Sequence, residues 1–291
     1  MAGGKEASKI LAEKKSLKRG LGFRPNKRLG QHFLRDPAVI LEIIDRAGFD
    51  SSDYVLEIGA GLGALTLPLA ETVRKITAVE KDTRLTQLLG EELSRSGIHN
   101  VTLINADILK FDFDRLKRLP GEKIQVIGNL PYNISSPFLE TLITNRDLVS
   151  RAVLMFQIEL ARRLVSPPGS KAYGAITVLI RYHARISPLL EVSGTSFLPK
   201  PKVGSMVLEL DFSRPHPRRA DDEKLFTTVV RSAFAHRRKK ILNSFRGSPI
   251  PYPDETLIKA LNRCAIDPGK RAEELDIDDF LCLSAALRGT S

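Results

Sequence analysis

The sequence has no tryptophan and only two cysteines, Cys264 and Cys282, in 291 residues. The two cysteines sit at no metal-ligand spacing, which argues against a structural metal site and fits a reducing cytoplasm. No apolar run approaches the ~20 residues of a membrane span. The amino-terminal stretch lacks the apolar block of a secretory signal, and Glu6 and Glu13 interrupt any Arg-rich presequence pattern. Internal repeats and low-complexity tracts are missing too, which excludes a solenoid and a compositional linker protein. With 42% hydrophobic residues, the chain can still bury a large core.

What the sequence does have is positive charge, unevenly placed. The net charge is +11, and residues 1–28 hold nine Lys or Arg against two Glu. Residues 29–194 balance at 19 basic and 19 acidic side chains, while residues 195–291 carry 17 against 13. A neutral middle between basic ends suits a catalytic body with polyanion-gripping flanks, although a solvated tail beside an ordinary basic surface gives the same counts.

Along the chain, residues 1–25 are Lys-rich and unpatterned, as in a mobile arm. Asp36-Pro37 reads as a helix start, with Val39, Ile40, Ile43 and Ile44 on the apolar side. Short apolar runs then alternate with helical stretches: Tyr54–Ile58, Ile76–Glu80, Val101–Asn105, Ile124–Gly128 and Ala152–Phe156. That alternation predicts an α/β fold built on a mostly parallel sheet. Two further strands, His183–Val192 and Ser205–Phe212, flank a loop containing Phe197, which allows an antiparallel edge pair. Pro and Arg around Ser213–Arg219 mark a linker, followed by a helix from Asp221 to Ser244 and a small helical domain.

Chemistry gathers at the predicted strand ends. Gly59, Gly61 and Gly63 follow the first strand, where glycine permits a sharp turn and close approach of a ligand. Gly59-x-Gly61-x-x-Ala64 with Glu80 also satisfies the dinucleotide fingerprint, so the loop alone leaves NAD open. Charge separates the two. Glu57, Glu80 and Asp107 would repel a pyrophosphate but suit a cationic nucleoside, S-adenosylmethionine. Glu80 is then a ribose acceptor and Asp107 an acceptor from the adenine amine. Singly, each acid is as well explained as a cap or a solvated strand end.

Asn129-Leu130-Pro131-Tyr132 ends the fourth strand at the same edge. A nucleobase amine is a poor nucleophile because its lone pair is delocalised. The Asn129 oxygen and a carbonyl near Leu130 would hold its hydrogens, Pro131 would fix the turn, and Tyr132 would stack a flipped base.

The chain resembles the small-subunit ribosomal RNA adenine-N6 dimethyltransferases, the kasugamycin-sensitivity family, from Asn26 to about Leu283. The likeness rests on KRLGQHFLRD, EIGAGLGALT, NADIL, GNLPYNISSPF, GSKAYGAITVLIRY, FLPKPKVGSMVL and FAHRRKKILNS in that order. It implies a Rossmann-like methyltransferase domain over residues 26–213, after the 1–25 arm, and a small all-helical RNA-binding domain over 214–291. It implies dimethylation of two adjacent adenosines in a hairpin near the 3′ end of small-subunit rRNA, late in subunit assembly. It implies S-adenosylmethionine as cofactor and the small ribosomal subunit as partner, and the expected state is a cytoplasmic monomer without membrane contact or metal. The resemblance assigns cofactor contacts to His32, Leu34, Gly59, Glu80, Asp107 and Asn129; many members carry Asn where this chain has His32. It places Phe197 as a second aromatic face opposite Tyr132, and Gln31, Arg237, Arg238, Lys239 and Lys240 against RNA. Large-subunit resistance methyltransferases typically read Asn-Ile-Pro-Tyr, so Leu130 favours the small-subunit branch. A non-catalytic assembly factor on the same scaffold is the rival reading.

Overall fold

The computed structural model describes residues 30–288 except 117, 237, 247, 249 and 251. The basic arm therefore lies outside the described residues. Strand β1 (Phe33–Leu34) precedes helix α1 (Pro37–Ala47). The Asp36 side chain accepts from the Ala38 N–H at 3.1 Å and Pro37 opens the helix. Gly48, at φ 57°, closes it, and Ile40 and Ile43 face the core.

The chain then alternates as its apolar runs predict. Strands β2 (Tyr54–Ile58), β3 (Lys75–Glu80), β4 (Val101–Asn105), β5 (Ile124–Asn129) and β6 (Val149–Gln157) are separated by helices α2 (Thr66–Ala70), α3 (Thr83–Arg95) and α4 (Ser135–Thr144). All five residues of β2 are buried, as in a strand covered on both faces. The seven-stranded sheet runs β4-β3-β2-β5-β6-β9-β7, with β7 (Arg185–Val192) and β9 (Ser205–Asp211) completing it. Its first five strands are parallel neighbours, and β9 runs antiparallel to β6. After β4 the chain crosses back to the far side of β2. The order thus reverses between β2 and β5, and such a switch point opens a crevice at the carboxyl ends of the strands. Beside it, a Cβ on Gly128 would lie 2.8 Å from the Ile58 carbonyl oxygen, so the β2–β5 pair admits only glycine there.

A separate two-stranded ladder pairs β1 with β8 (Phe197–Leu198), matching Phe33 to Leu198 and Leu34 to Phe197. Helices α5 (Ile158–Val165) and α6 (Ala175–His183) precede β7. The remaining helices are α7 (Glu223–Ala233), α8 (Ile241–Arg246), α9 (Asp254–Arg263) and α10 (Ile277–Arg288). By its contacts the chain divides into two units, one of Met1–Ala161 with Ser187–Ser213 and one of Arg162–Ile186 with Arg214–Ser291. The first unit holds a core built on Leu34, Ile40, Val55, Leu67, Ile76 and Ile127. In the second, Tyr173, Tyr182, Phe226 and Phe280 are among the largest buried side chains.

Several expectations require correction. His183 ends α6 and does not start a strand, because Gly174 opens a helix over the apolar run that follows it. The helix expected over Asp221–Ser244 is two helices. Phe234 caps α7 and places its ring against Tyr173 and Phe280, which turns the chain off the helical path. His236, Arg238, Lys239 and Lys240 therefore occupy a turn between α7 and α8, not a helix face. Cys264 and Cys282, assigned from sequence to a reducing environment, are joined in a disulfide with their Cα atoms 5.8 Å apart, since α9 ends at Cys264 beside α10. Among the described residues no helix is long and apolar enough to cross a membrane, and no cluster of His, Cys, Asp and Glu could hold a metal ion.

Candidate active site

A cavity opens at the sheet's switch point, within the first unit, lined by the carboxyl ends of β2, β3 and β5 and by the residues that follow β4. The glycine loop after β2 forms its floor. Gly59, Gly61 and Gly63 take φ 70°, 57° and 74°, where a Cβ is strained. At Gly61 space is also short, because a Cβ would sit 3.4 Å from the Phe33 ring.

Glu80 closes β3 and is 7% exposed. Its Oε2 accepts from the Gly61 N–H at 2.9 Å and its Oε1 from the Asp82 N–H at 2.8 Å. Burial still pushes this carboxyl above the ordinary carboxylate range, the two amide bonds only opposing it. Asp107 lies two residues beyond β4, where it caps a short 3-10 turn by accepting from the Leu109 N–H at 3.1 Å. Its other oxygen meets Lys81 Nζ at 2.8 Å, and that bond holds the carboxyl below its usual range. Glu57, 1% exposed, lines the same cavity. The three acids expected at one edge are together there.

Asn129 ends β5, and its Nδ2 donates to the His32 carbonyl oxygen at 3.0 Å. That bond turns the amide so that its acceptor, Oδ1, is the end left for a ligand in a residue that lines the cavity. Leu130 is 1% exposed. The Pro131 carbonyl accepts from the Ile134 N–H at 3.1 Å, a tight turn that leads into α4. Tyr132 is tied by its hydroxyl to Ser205 Oγ at 3.2 Å, and burial raises its phenol.

Residues 30–34 strap across this crevice. Gln31 Nε2 donates to Asp82 Oδ2 at 3.3 Å, so the amide expected to meet RNA is turned toward the α3 cap. Asp82 also accepts from Arg84 at 3.0 Å, which keeps its carboxyl low. His32 Nδ1 lies 2.8 Å from the Pro199 carbonyl oxygen, and Leu34, 2% exposed, lines the cavity. Phe197, expected opposite Tyr132, is 1% exposed and packs with Leu34 in the core. Alternation along β8 turns Phe197 inward and leaves Leu198 50% exposed. Lys81, Asp82 and Ser205 were missed from the sequence. A polar residue next to a proposed ligand acid was the only available signal for the first two, and nothing marked Ser205. Arg238, Lys239 and Lys240 are exposed, while Arg237 lies outside the described residues.

Chemically, buried and capped acids at one end suit a cationic nucleoside. An amide oxygen and an aromatic ring at the other suit a planar base bearing an amine.

The family model for ribosomal RNA adenine dimethylase matches residues 22–288. The chain is 46% identical over 261 residues to ribosomal RNA small subunit methyltransferase A of Desulforapulum autotrophicum, covering 90% of this chain and 91% of that one. It is 41% identical over 270 residues to the protein of the same name from Magnetococcus marinus, covering 93% and 94%. Among solved structures, a dimethyladenosine transferase from Plasmodium falciparum superposes with a TM-score of 0.72 at 27% identity, over 86% of this chain and 95% of that one. The 23S rRNA methyltransferase ErmE does so with a TM-score of 0.66 at 27% identity, over 88% and 99%.

Proposed function

The chain belongs to the ribosomal RNA adenine dimethylases, and from that premise we propose that its substrate is a pair of adjacent adenosines in a hairpin near the 3′ end of small-subunit rRNA. It is an rRNA adenine dimethyltransferase whose methyl donor is S-adenosylmethionine. When bound, the donor supplies an electrophilic methyl group on a positive sulfonium. Glu80 accepts from the ribose hydroxyls and Asp107 from the adenine amine, with His32, Leu34, Gly59 and Asn129 completing the contacts. Glu57 adds negative charge where the cation lies. The glycine loop, at positive φ beside the buried Glu80, lets such a nucleoside approach the backbone closely.

At the acceptor end, Asn129 Oδ1 and the Leu130 carbonyl accept hydrogen bonds from the adenine N6 amine and favour a lone pair held out of the ring. Once the methyl has left the sulfonium for N6, the amine is acidic and gives up its proton to solvent. Pro131 brings no N–H to compete, and Tyr132 stacks the flipped base. Holding the nitrogen in this one geometry supplies much of the acceleration. The observation that carries the reading is the Asn129 amide, oriented by the His32 carbonyl at 3.0 Å.

The helical residues 214–291, with Arg237 to Lys240, grip rRNA phosphate. The enzyme works as a cytoplasmic monomer late in small-subunit assembly.

The test is transfer of labelled methyl groups to unmodified small subunits, with naked small-subunit rRNA and large subunits as controls. Label confined to dimethyladenosine in the small subunit supports the assignment. Label in large-subunit RNA moves the chain to the resistance branch, and tight binding without label favours an assembly factor. Asn129→Ala is expected to abolish transfer, a loss of at least about a hundredfold, while subunit binding stays near wild type. Equal loss of both would contradict amine activation by Asn129.

A further inference from the structure

The two cysteines of the sequence meet in one bond. Cys264 caps α9 and Cys282 lies in α10, 18 positions further on, and both are half-buried rather than sealed in the core. In the cytoplasm proposed for this enzyme, a disulfide is usually transient and redox-sensing or catalytic.

The bond ties off residues 265–281. Inside that loop, the Lys270 carbonyl accepts from the Ile241 N–H at 2.8 Å. Ile241 opens α8 and directly follows Lys240, so the loop fixes the far end of the exposed turn that carries Arg238, Lys239 and Lys240. The near end is fixed through His236, whose N–H donates to Ser244 Oγ at 3.1 Å. Lys270 is itself held, its N–H donating to the Asp267 carbonyl at 3.0 Å. Ala265, beside Cys264, has φ 54°, a left-handed position ordinarily given to glycine after a helix. The loop thus starts from a backbone conformation that alanine disfavours, and a cross-link next to it opposes relaxation. The helices do not need the bond. Leu257 and Leu261 of α9 and Leu281 and Leu283 of α10 are buried, and the two helices pack on each other. Opening the bond therefore frees the loop and leaves the helices folded.

We propose that Cys264 and Cys282 form a modification site for low-molecular-weight disulfides, and that the closed form holds the Arg238–Lys240 turn ready for rRNA phosphate. This rests on the rRNA reading above and adds a control to it. One cysteine thiolate attacks a sulfur of the small disulfide and expels a thiolate. The second cysteine then displaces the other half. Two electrons pass from the protein sulfurs to the small disulfide, which leaves as two thiols carrying the two protons. Excess small thiol runs the exchange backwards. In the open form the turn has to be ordered at the moment of binding, at a cost in affinity.

The experiment takes the full chain through mixtures of reduced and oxidised glutathione. Alkylation followed by mass measurement counts the thiols, and equilibrium binding of labelled small subunits is measured on each form. The oxidised form is expected to bind about fivefold or more tightly than the reduced one, the lower end of ordinary coupling between two sites. Linkage demands the reverse effect too: saturating small subunits shift the thiol–disulfide equilibrium toward the disulfide by the same factor. A purely structural staple would raise the thermal midpoint and produce neither shift. Cys264→Ser with Cys282→Ser is expected to match the reduced wild type in every mixture. Equal affinity of the two wild-type forms, or tighter binding by the reduced one, would overturn the proposal. So would thiols that stay free in every mixture, or a bond that opens only when the protein unfolds. Failure of both wild-type forms to bind small subunits would sink the parent reading and this one with it, whereas binding that ignores the thiol count sinks only the switch.

Discussion

Glu80 has two duties that acid sets against each other. Its carboxylate fastens the glycine loop through Gly61 and the α3 entry through Asp82, and it is the ribose acceptor of the proposed site. Burial raises its pKa, so the neutral form appears at a higher pH than for an exposed glutamate. The ligand needs the charged form. Binding is thus complete above the raised value and lost as pH falls through it. Asp107, held low by Lys81, stays ionised over the same interval. S-adenosylhomocysteine affinity, followed by calorimetry from about pH 7 to about pH 5, is expected to decline before exposed carboxylates titrate. Glu80→Gln is expected to bind about tenfold more weakly or worse at neutral pH, the scale of a hydrogen bond to a charged group, with a flattened profile. A wild-type affinity that stays level over that range would remove Glu80 from the ribose.

At the scale of elements, the β2–β5 pairing sets the crevice, and Gly128 is where it leaves no slack. An alanine Cβ there would meet Ile58 backbone oxygen at 2.8 Å and Ile58 Cβ at 3.2 Å, contacts that only strand displacement relieves. Gly128→Ala is expected to destabilise the protein by roughly 2 kcal/mol, read as a lower midpoint in urea with an unchanged slope. A midpoint equal to wild type would mean that the strands part easily. The same strands show why much of the fold was legible. Tyr54–Ile58 and Val101–Asn105 are short apolar runs bounded by turn residues, and their ends match the structure. Catalytic candidates at strand ends were legible because a parallel sheet delivers all its carboxyl ends to one edge. Pairings across long stretches of chain were not. The β1–β8 ladder is two residues long and joins segments more than 160 positions apart, so neither strand has a pattern of its own. Parity in that ladder decides that Phe197 is buried and Leu198 exposed. The His32–Tyr132 stack is likewise purely tertiary. The HRRKK run was misplaced for the opposite reason: its polar residues continue a helical pattern that the packing of Phe234 breaks.

For the whole molecule, the distribution of charge constrains how it holds a polyanion. Residues 29–194 carry no net charge, so a long-range pull toward RNA has to come from the ends of the sequence. The carboxyl-terminal part, +4 over residues 195–291, presents Arg238, Lys239 and Lys240 together on an exposed turn. A turn projects side chains outward from both flanking helices, a better posture for reaching phosphates than a helix face packed on one side. If these cations neutralise phosphates, binding releases counterions, and log affinity falls linearly with log salt, by about 0.7 to 0.9 for each contact. Arg238→Glu with Lys239→Glu is therefore expected to weaken small-subunit binding strongly at low salt and little at high salt, reducing the salt slope by about 1.4 to 1.8. Equilibrium binding of labelled subunits across a salt series measures this directly. A parallel drop in affinity at every salt concentration, with the slope retained, would assign these residues to the shape of the turn and leave the phosphate contacts to other cations of the chain.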